Sequence, residues 1–160
     1  PCGYFHHPDK PCTCKPYQVD RYLHRISGPL LDRIDMHLEV FPLKYPDMFN
    51  AQASESSSSI RERVIMARER QKKRFHQHHA IRTNAEMNSE QVKVVCKLDL
   101  VSSSLLQNAI ERLQLSARAH DRILKMARTI ADLAQSSEIQ SKHLAEAITY
   151  RNLDRENWSG

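Results

Sequence analysis

Glycine is scarce, with three residues in 160. That argues against a glycine-rich phosphate loop and against tight β-hairpins, which depend on residues able to take positive φ. No G-x-x-x-x-G-K-[ST] string occurs, and no apolar strand ends in paired acids. The chain therefore lacks the usual means of holding a magnesium–nucleotide complex. No run approaches the roughly eighteen apolar residues of a membrane span, so no membrane partner is expected. The opening Pro1-Cys2-Gly3-Tyr4 has neither an initiator Met nor a charged-then-apolar leader. It is not a signal peptide and reads as the start of a fragment cut from a longer protein. No Ser-His-Asp or Cys-His arrangement for nucleophilic catalysis stands out. His76, His78 and His79 fall in a basic, polar stretch where solvated side chains are expected.

What is present fits a soluble globular chain, with 40% hydrophobic and 27% charged residues. The net charge of +5 is unevenly spread. Residues 60–82 carry eight Lys or Arg against two Glu, and the remainder carries sixteen basic and seventeen acidic residues. One segment thus holds the whole excess. Its Arg68, Lys72, Lys73 and Arg74 are candidate nucleic-acid contacts, although the solvated face of a long helix has the same composition. Of four cysteines, Cys2, Cys12 and Cys14 crowd together and Cys96 stands apart. A secreted disulfide framework would spread them more evenly, so a cytoplasmic compartment with a local thiol cluster is expected. The C-x9-C-x-C spacing, with His6 and His7 inside it, offers part of a tetrahedral zinc site or simply free thiols in a loose end.

Along the chain, residues 1–16 show no period and read as a loop. Apolar or aromatic residues at 19, 22, 23 and 26 suit a short helix that Gly28-Pro29 ends. Residues 36–41 alternate apolar and polar up to Pro42 and predict a strand, one that cannot fill its ladder alone. The stretch 51–59 has five Ser in nine residues and marks a linker. Helical spacing then predicts a helix over about 60–75. An Asn88-Ser89-Glu90-Gln91 capping box opens another helix. Ser102 or Ser103 is the expected cap of a helix bearing Leu105, Leu106, Ala109, Ile110 and Leu113. Ser116 and Ser141 open the last two, with Ala119, Ile123, Ala127, Ile130 and Ala131 on one face of the longer. From Asn88 onward the pattern predicts a compact bundle of about four helices, able to fold by itself.

The most specific string is Ser27-Gly-Pro-Leu-Leu-Asp-Arg33-Ile-Asp35, running into the alternating hexad. A second is Leu115-Ser-Ala-Arg118-Ala-His-Asp-Arg122-Ile-Leu-Lys-Met-Ala-Arg128-Thr-Ile-Ala-Asp-Leu133. Ala67-Arg68-x-x-Gln71-x-x-Arg74 and His143-x-Ala-Glu-Ala-x-x-Tyr150-Arg151 complete the set. In this order the strings resemble the magnesium-chelatase-like ComM/YifB family of AAA+ ATPases, over residues 1 to about 151. The first resembles the segment that carries an arginine finger just before the last core strand, which matches Arg33. The second resembles a lid helix whose sensor-2 arginine matches Arg118, with Arg122 as runner-up. On spacing alone, Arg33 is as readily a surface cation paired with Asp32 or Asp35.

The resemblance implies a mainly α fold: a C-terminal helical AAA+ lid over residues 60–155, joined by the 51–59 linker to the last piece of an α/β P-loop ATPase core in residues 1–50. In the parent protein it implies ATP and Mg2+, a homo-oligomeric ring, expected to be a hexamer, and work on DNA such as helicase-like remodelling or branch migration during competence. This chain alone is expected to be inactive as an ATPase. Pro1-Cys2-Gly3 is similar to the tail of the family's Asn-Pro-Cys-Pro-Cys-Gly motif, which implies a further cysteine upstream and possible Zn2+ at the cluster. Pigment synthesis, the other activity that a chelatase likeness suggests, ranks below DNA work because the cysteine loop and lid strings look more like the ComM/YifB branch. The rival readings are a non-catalytic DNA-binding bundle and a zinc-stabilised interaction module.

Overall fold

The structure is a computed structural model that describes residues 1–38, 40, 42, 54–78 and 80–151. Among them are seven α-helices and one 3-10 turn, with no strand. Two short helices come first: α1 (Pro16–Leu23) and α2 (Gly28–Leu31). Each has Pro in its first turn, where the missing N–H costs nothing. Then come α3 (Ser57–Arg74), the 3-10 turn (Asn84–Glu86), α4 (Ser89–Val95), α5 (Leu100–Arg112), α6 (Ala117–Leu133) and α7 (Ser141–Thr149). The linker residues 51–53, part of the expected lid at 152–155, and His79 lie outside the described residues.

Local chemistry places these helices. Ser56 caps α3 by accepting the Ser59 N–H at 3.2 Å, while Lys72, Lys73 and Arg74 fill its last turn, where cations meet the negative end of the dipole. Asn88 accepts the Gln91 N–H at 3.0 Å and Gln91 returns the bond at 2.8 Å, the reciprocal box that the sequence predicts. Ser116 caps α6 through the Ala119 N–H at 3.2 Å. The α5 cap is different from the expected one. Asp99 accepts the Ser102 N–H at 2.7 Å, so the helix starts with Leu100 and Ser102 lies inside its first turn. A carboxylate at a helix N-terminus outcompetes a hydroxyl three residues later because it also meets the positive end of the dipole.

The helix α6 is the central member of the bundle and packs against α3, α4, α7 and the 3-10 turn. Its Ala119, Ala127 and Ala131 are fully buried, and small side chains there let neighbouring backbones approach closely. Ile123, Leu144, Val92, Leu106 and Ile139 fill the space between helices. With glycine so rare, the chain turns out of α5 and α6 through Gln114 and Gln135, each left-handed at φ 47° and 57°. The following N–H groups close the ends, Leu115 onto the Ile110 carbonyl at 3.0 Å and Ser136 onto Ala131 at 2.8 Å.

The helix α3 is packed onto the bundle that starts at Asn88. Ala67, Gln71 and Phe75 are buried, and Phe75 belongs to the same core as Leu106 and Leu144. Polar groups strengthen the junction. Arg74 grips Asp132 with two bonds of 2.6 and 2.7 Å and donates to Asn84 at 2.8 Å. Arg70 reaches the Gln135 carbonyl at 2.7 Å. A chain of residues 54–151 is therefore expected to unfold in one cooperative urea transition, while one starting at residue 88 loses the burial of Phe75 and the Arg74 and Asn84 partners of Asp132. Its midpoint should fall by an amount equivalent to about 3 kcal/mol or more. Equal midpoints would show that α3 is an appendage.

The strand expected at 36–41 has no counterpart among its described residues, Met36, His37, Leu38 and Val40; Glu39 and Phe41 lie outside them. A strand needs a neighbour to pair with. Here the His37 N–H donates instead to the Tyr150 carbonyl at the end of α7, at 2.8 Å.

Candidate functional site

Residues 32–37 form an arm that leaves α2 and lies along two places on the bundle: the first turns of α6 and the end of α7. Asp32 accepts the Ser116 hydroxyl at 2.8 Å, so the capping residue of α6 also anchors the arm. The same carboxylate lies 3.7 Å from Arg151, which is almost fully buried and whose guanidinium also donates to the Ile34 carbonyl. One turn into α6, Arg122 donates to the Arg33 carbonyl and to the Asp35 carboxylate. Both acids flanking Arg33 are thus taken by the bundle.

That leaves Arg33 in an unusual position. The guanidinium is exposed and donates to the Pro29 carbonyl one turn back at 2.8 Å. Among the described residues it forms no ion pair. The surface pairing with Asp32 or Asp35 that spacing permits is absent because Ser116, Arg151 and Arg122 have claimed those carboxylates. A permanently charged planar donor is held out on a backbone fixed from both sides.

Arg118 lies in the first turn of α6, exposed and without a hydrogen bond or ion pair among the described residues. It stands two residues after Ser116, the capping residue that Asp32 holds. An arginine at a helix N-terminus is repelled by the helix dipole unless an anion is close, which suits a residue kept for a ligand. Arg122, the runner-up, is committed to the arm and is a structural clasp. Sequence spacing had no means of telling these two apart.

Of the candidate nucleic-acid contacts, Arg68, Lys72 and Lys73 are exposed on α3. Lys72 makes only a loose surface pair with Glu69 at 3.8 Å. Arg74 is different: its bonds to Asp132 and Asn84 turn it into the bundle. Its hydrogen bonds are spent on the fold, so it is not available to a phosphate. His76 and His78 are exposed, as expected.

The third feature is sulfur. Cys2, Cys12 and Cys14 bring their Sγ atoms within 4.8 Å of one another, a group able to hold a metal ion. Backbone N–H groups of Tyr4 and Thr13, outweighing the opposing effect of burial, draw the Cys2 thiol down to about 6. The Cys14 N–H favours the Cys12 thiolate, yet burial and the neighbouring Cys2 and Cys14 sulfurs carry that thiol above its ordinary value. Cys96 is unlike them: burial in the bundle pushes it up to about 11, and it is inert packing. Mg2+ prefers oxygen ligands, so a thiol cluster is the wrong donor set for it, and no magnesium step is assigned to these residues.

Comparisons with known proteins match the two parts of the chain separately. The family described as magnesium chelatase, subunit ChlI C-terminal, matches residues 54–151, and the ChlI family itself matches residues 1–48. The first match starts just before α3. The chain is 44% identical over 144 residues to the uncharacterised protein YifB of Escherichia coli K12. It is 43% identical over 141 residues to the competence protein ComM of Haemophilus influenzae Rd. An uncharacterised protein of Mycobacterium bovis is 35% identical over 140 residues. These alignments cover 88–89% of this chain and 27% of the relatives, so the chain spans about a quarter of their length. The chain belongs to the family described as magnesium chelatase, subunit ChlI C-terminal, and is similar to part of YifB and of ComM. Among the described residues, no helix is long and apolar enough to cross a membrane.

Proposed function

We propose that this region completes and senses the ATP sites of a cytoplasmic, ring-forming AAA+ ATPase, expected to be a hexamer, that remodels DNA. Arg33 reaches the γ-phosphate bound by a neighbouring subunit, and Arg118 contacts nucleotide as the lid closes. The observation that supports this most is the arm: Asp32 and Asp35 are occupied by Ser116, Arg151 and Arg122, leaving the Arg33 guanidinium charged and without an ion pair among the described residues. An arginine so held meets negative charge that grows on the phosphoryl oxygens in the transition state without first breaking an ion pair. The backbone that carries it is bonded to α6 and α7, so movement of the lid moves the finger. ATP hydrolysis and lid position are coupled through that seam.

The DNA reading rests on the family resemblance and on the exposed cations Arg68, Lys72 and Lys73 of α3; a relative named as a competence protein is in keeping with it. The test of the sensing role is Arg118→Ala in the full-length protein. Losing one charged hydrogen bond to a ground-state phosphate should raise the ATP dissociation constant about ten- to a hundredfold and slow turnover as well. Unchanged affinity and unchanged turnover would remove Arg118 from the nucleotide site.

A further inference from the structure

The N-terminal loop holds a site that neither the arm nor the lid uses. Three sulfurs from positions 2, 12 and 14 converge, with the Cys2 and Cys12 Sγ atoms 3.5 Å apart and all three within 4.8 Å. Around a zinc ion with Zn–S bonds of ~2.3 Å, tetrahedral sulfurs lie ~3.8 Å from one another. The cluster therefore already has ligand spacing. Ordinary packing of three exposed-loop thiols gives no reason for it, since the loop has no helix or strand to force the encounter.

The backbone is arranged for thiolates. The Cys2 N–H donates to Cys14 Sγ at 2.9 Å, and the Tyr4 N–H donates to Cys2 Sγ at 3.4 Å. The second bond needs the chain to double back within two residues. Gly3 makes that possible at φ 83°, a left-handed conformation that side chains resist. Donors aimed at sulfur stabilise the ionised ligand and fix its direction, the usual outer-shell support of a metal site. A disulfide is a poorer use of the same atoms, since it would take two of the three sulfurs and leave an odd thiol.

We propose that Cys2, Cys12 and Cys14 bind one Zn2+ through three thiolates and leave a fourth tetrahedral position for another donor. Soft sulfur ligands select zinc over magnesium or calcium. Each thiol gives up its proton as its S–Zn bond forms, so loading releases protons as well as closing the loop. Three thiolates on a dication carry one net negative charge, and Lys10 and Lys15 lie within the same loop. Cys14 stands two residues before the first turn of α1, so the metal pins residues 1–14 to that helix. A hollow of about 620 Å³, lined in part by Phe5, Pro16, Val19 and Leu23, adjoins Cys12 and Cys14.

The test is metal binding by the reduced 160-residue chain under exclusion of air. Zn2+ is titrated in competition with a chromophoric chelator, and Co2+ serves as a spectroscopic substitute. One equivalent should bind, and the cobalt form should show thiolate-to-metal charge transfer with the intense visible bands of tetrahedral geometry. Cys2→Ser, Cys12→Ser and Cys14→Ser should each weaken binding by about a hundredfold or more, whereas Cys96→Ser should leave it unchanged. The far-ultraviolet helix signal checks that each variant keeps the bundle. Substoichiometric binding by the reduced wild-type chain, octahedral cobalt spectra, or affinity unmoved by Cys12→Ser and Cys14→Ser would overturn the site.

Discussion

Arg33→Ala in the full-length protein should lower ATP hydrolysis by about 10³- to 10⁵-fold while leaving ATP affinity nearly unchanged. The asymmetry follows from where the charge appears. A finger acting across a subunit boundary adds little to ground-state binding and meets the phosphoryl oxygens chiefly as negative charge spreads over them. Its loss therefore falls on turnover. Arg33→Lys should recover only part of the rate, because a compact ammonium cannot reproduce the planar fork of donors. The flanking acids separate position from charge. Asp35→Ala removes the Arg122 partner but leaves the guanidinium intact, so its effect on turnover should be much smaller than that of Arg33→Ala. Turnover and affinity are read together in steady-state and equilibrium-binding measurements. A normal rate from assembled Arg33→Ala rings would return Arg33 to the role of a surface cation.

The second large effect is on stability. Asp132→Ala in the 160-residue chain should cost about 3–5 kcal/mol of unfolding free energy. Asp132 is fully buried and receives two bonds from Arg74, one from Asn84 at 2.8 Å and an ion pair from Arg128 at 3.1 Å. Arg128 is itself only 3% exposed, so removing the carboxylate strands a charge with no water to replace it. Burial pushes the Asp132 carboxyl up, but the bonds from Arg74 and Asn84 and the nearby guanidinium charges outweigh that and hold it below its ordinary value of 3.8. A depressed carboxylate stabilises fully above its unfolded value and loses that contribution as pH falls through the folded one. The wild-type chain should therefore lose this stabilisation below about pH 3.8, and Asp132→Ala should flatten that part of the profile. Urea melts at neutral and acid pH measure both. A neutral-pH loss below about 1 kcal/mol would show that the buried charges are relieved in some other way.

The sequence made the helices from Asn88 onward legible because their apolar residues recur at helical spacing and their caps are side chains that accept backbone N–H groups. The family resemblance put α3 in the lid, but how it is attached was not legible. That helix buries only Ala67 and Gln71 within its length and fastens itself through Arg70 and Arg74. Apolar periodicity cannot detect the ionic part of a joint. The same blindness put Arg74 among the nucleic-acid candidates, since a count of charges does not say which guanidinium has a carboxylate waiting 58 residues away. At the arm, the string around Arg33 announced the residue itself. What it could not give was the fate of Asp32 and Asp35, which depends on Ser116, Arg122 and Arg151 in a distant part of the chain. The cysteine spacing was weak as a motif and became specific only when the turn at Gly3 brought the sulfurs together.

The role of Arg33 across a subunit boundary is open to one direct measurement. Two full-length variants are combined in varied proportion: Arg33→Ala with an intact phosphate loop, and a partner that retains Arg33 but has lost the loop lysine that the family carries. Each alone should be almost inactive. In mixed rings, an Arg33→Ala subunit holding ATP beside a partner that supplies Arg33 makes a complete site, so hydrolysis should appear and peak near equal proportions. No recovery at any ratio, in rings shown to contain both variants, would contradict a finger acting in trans.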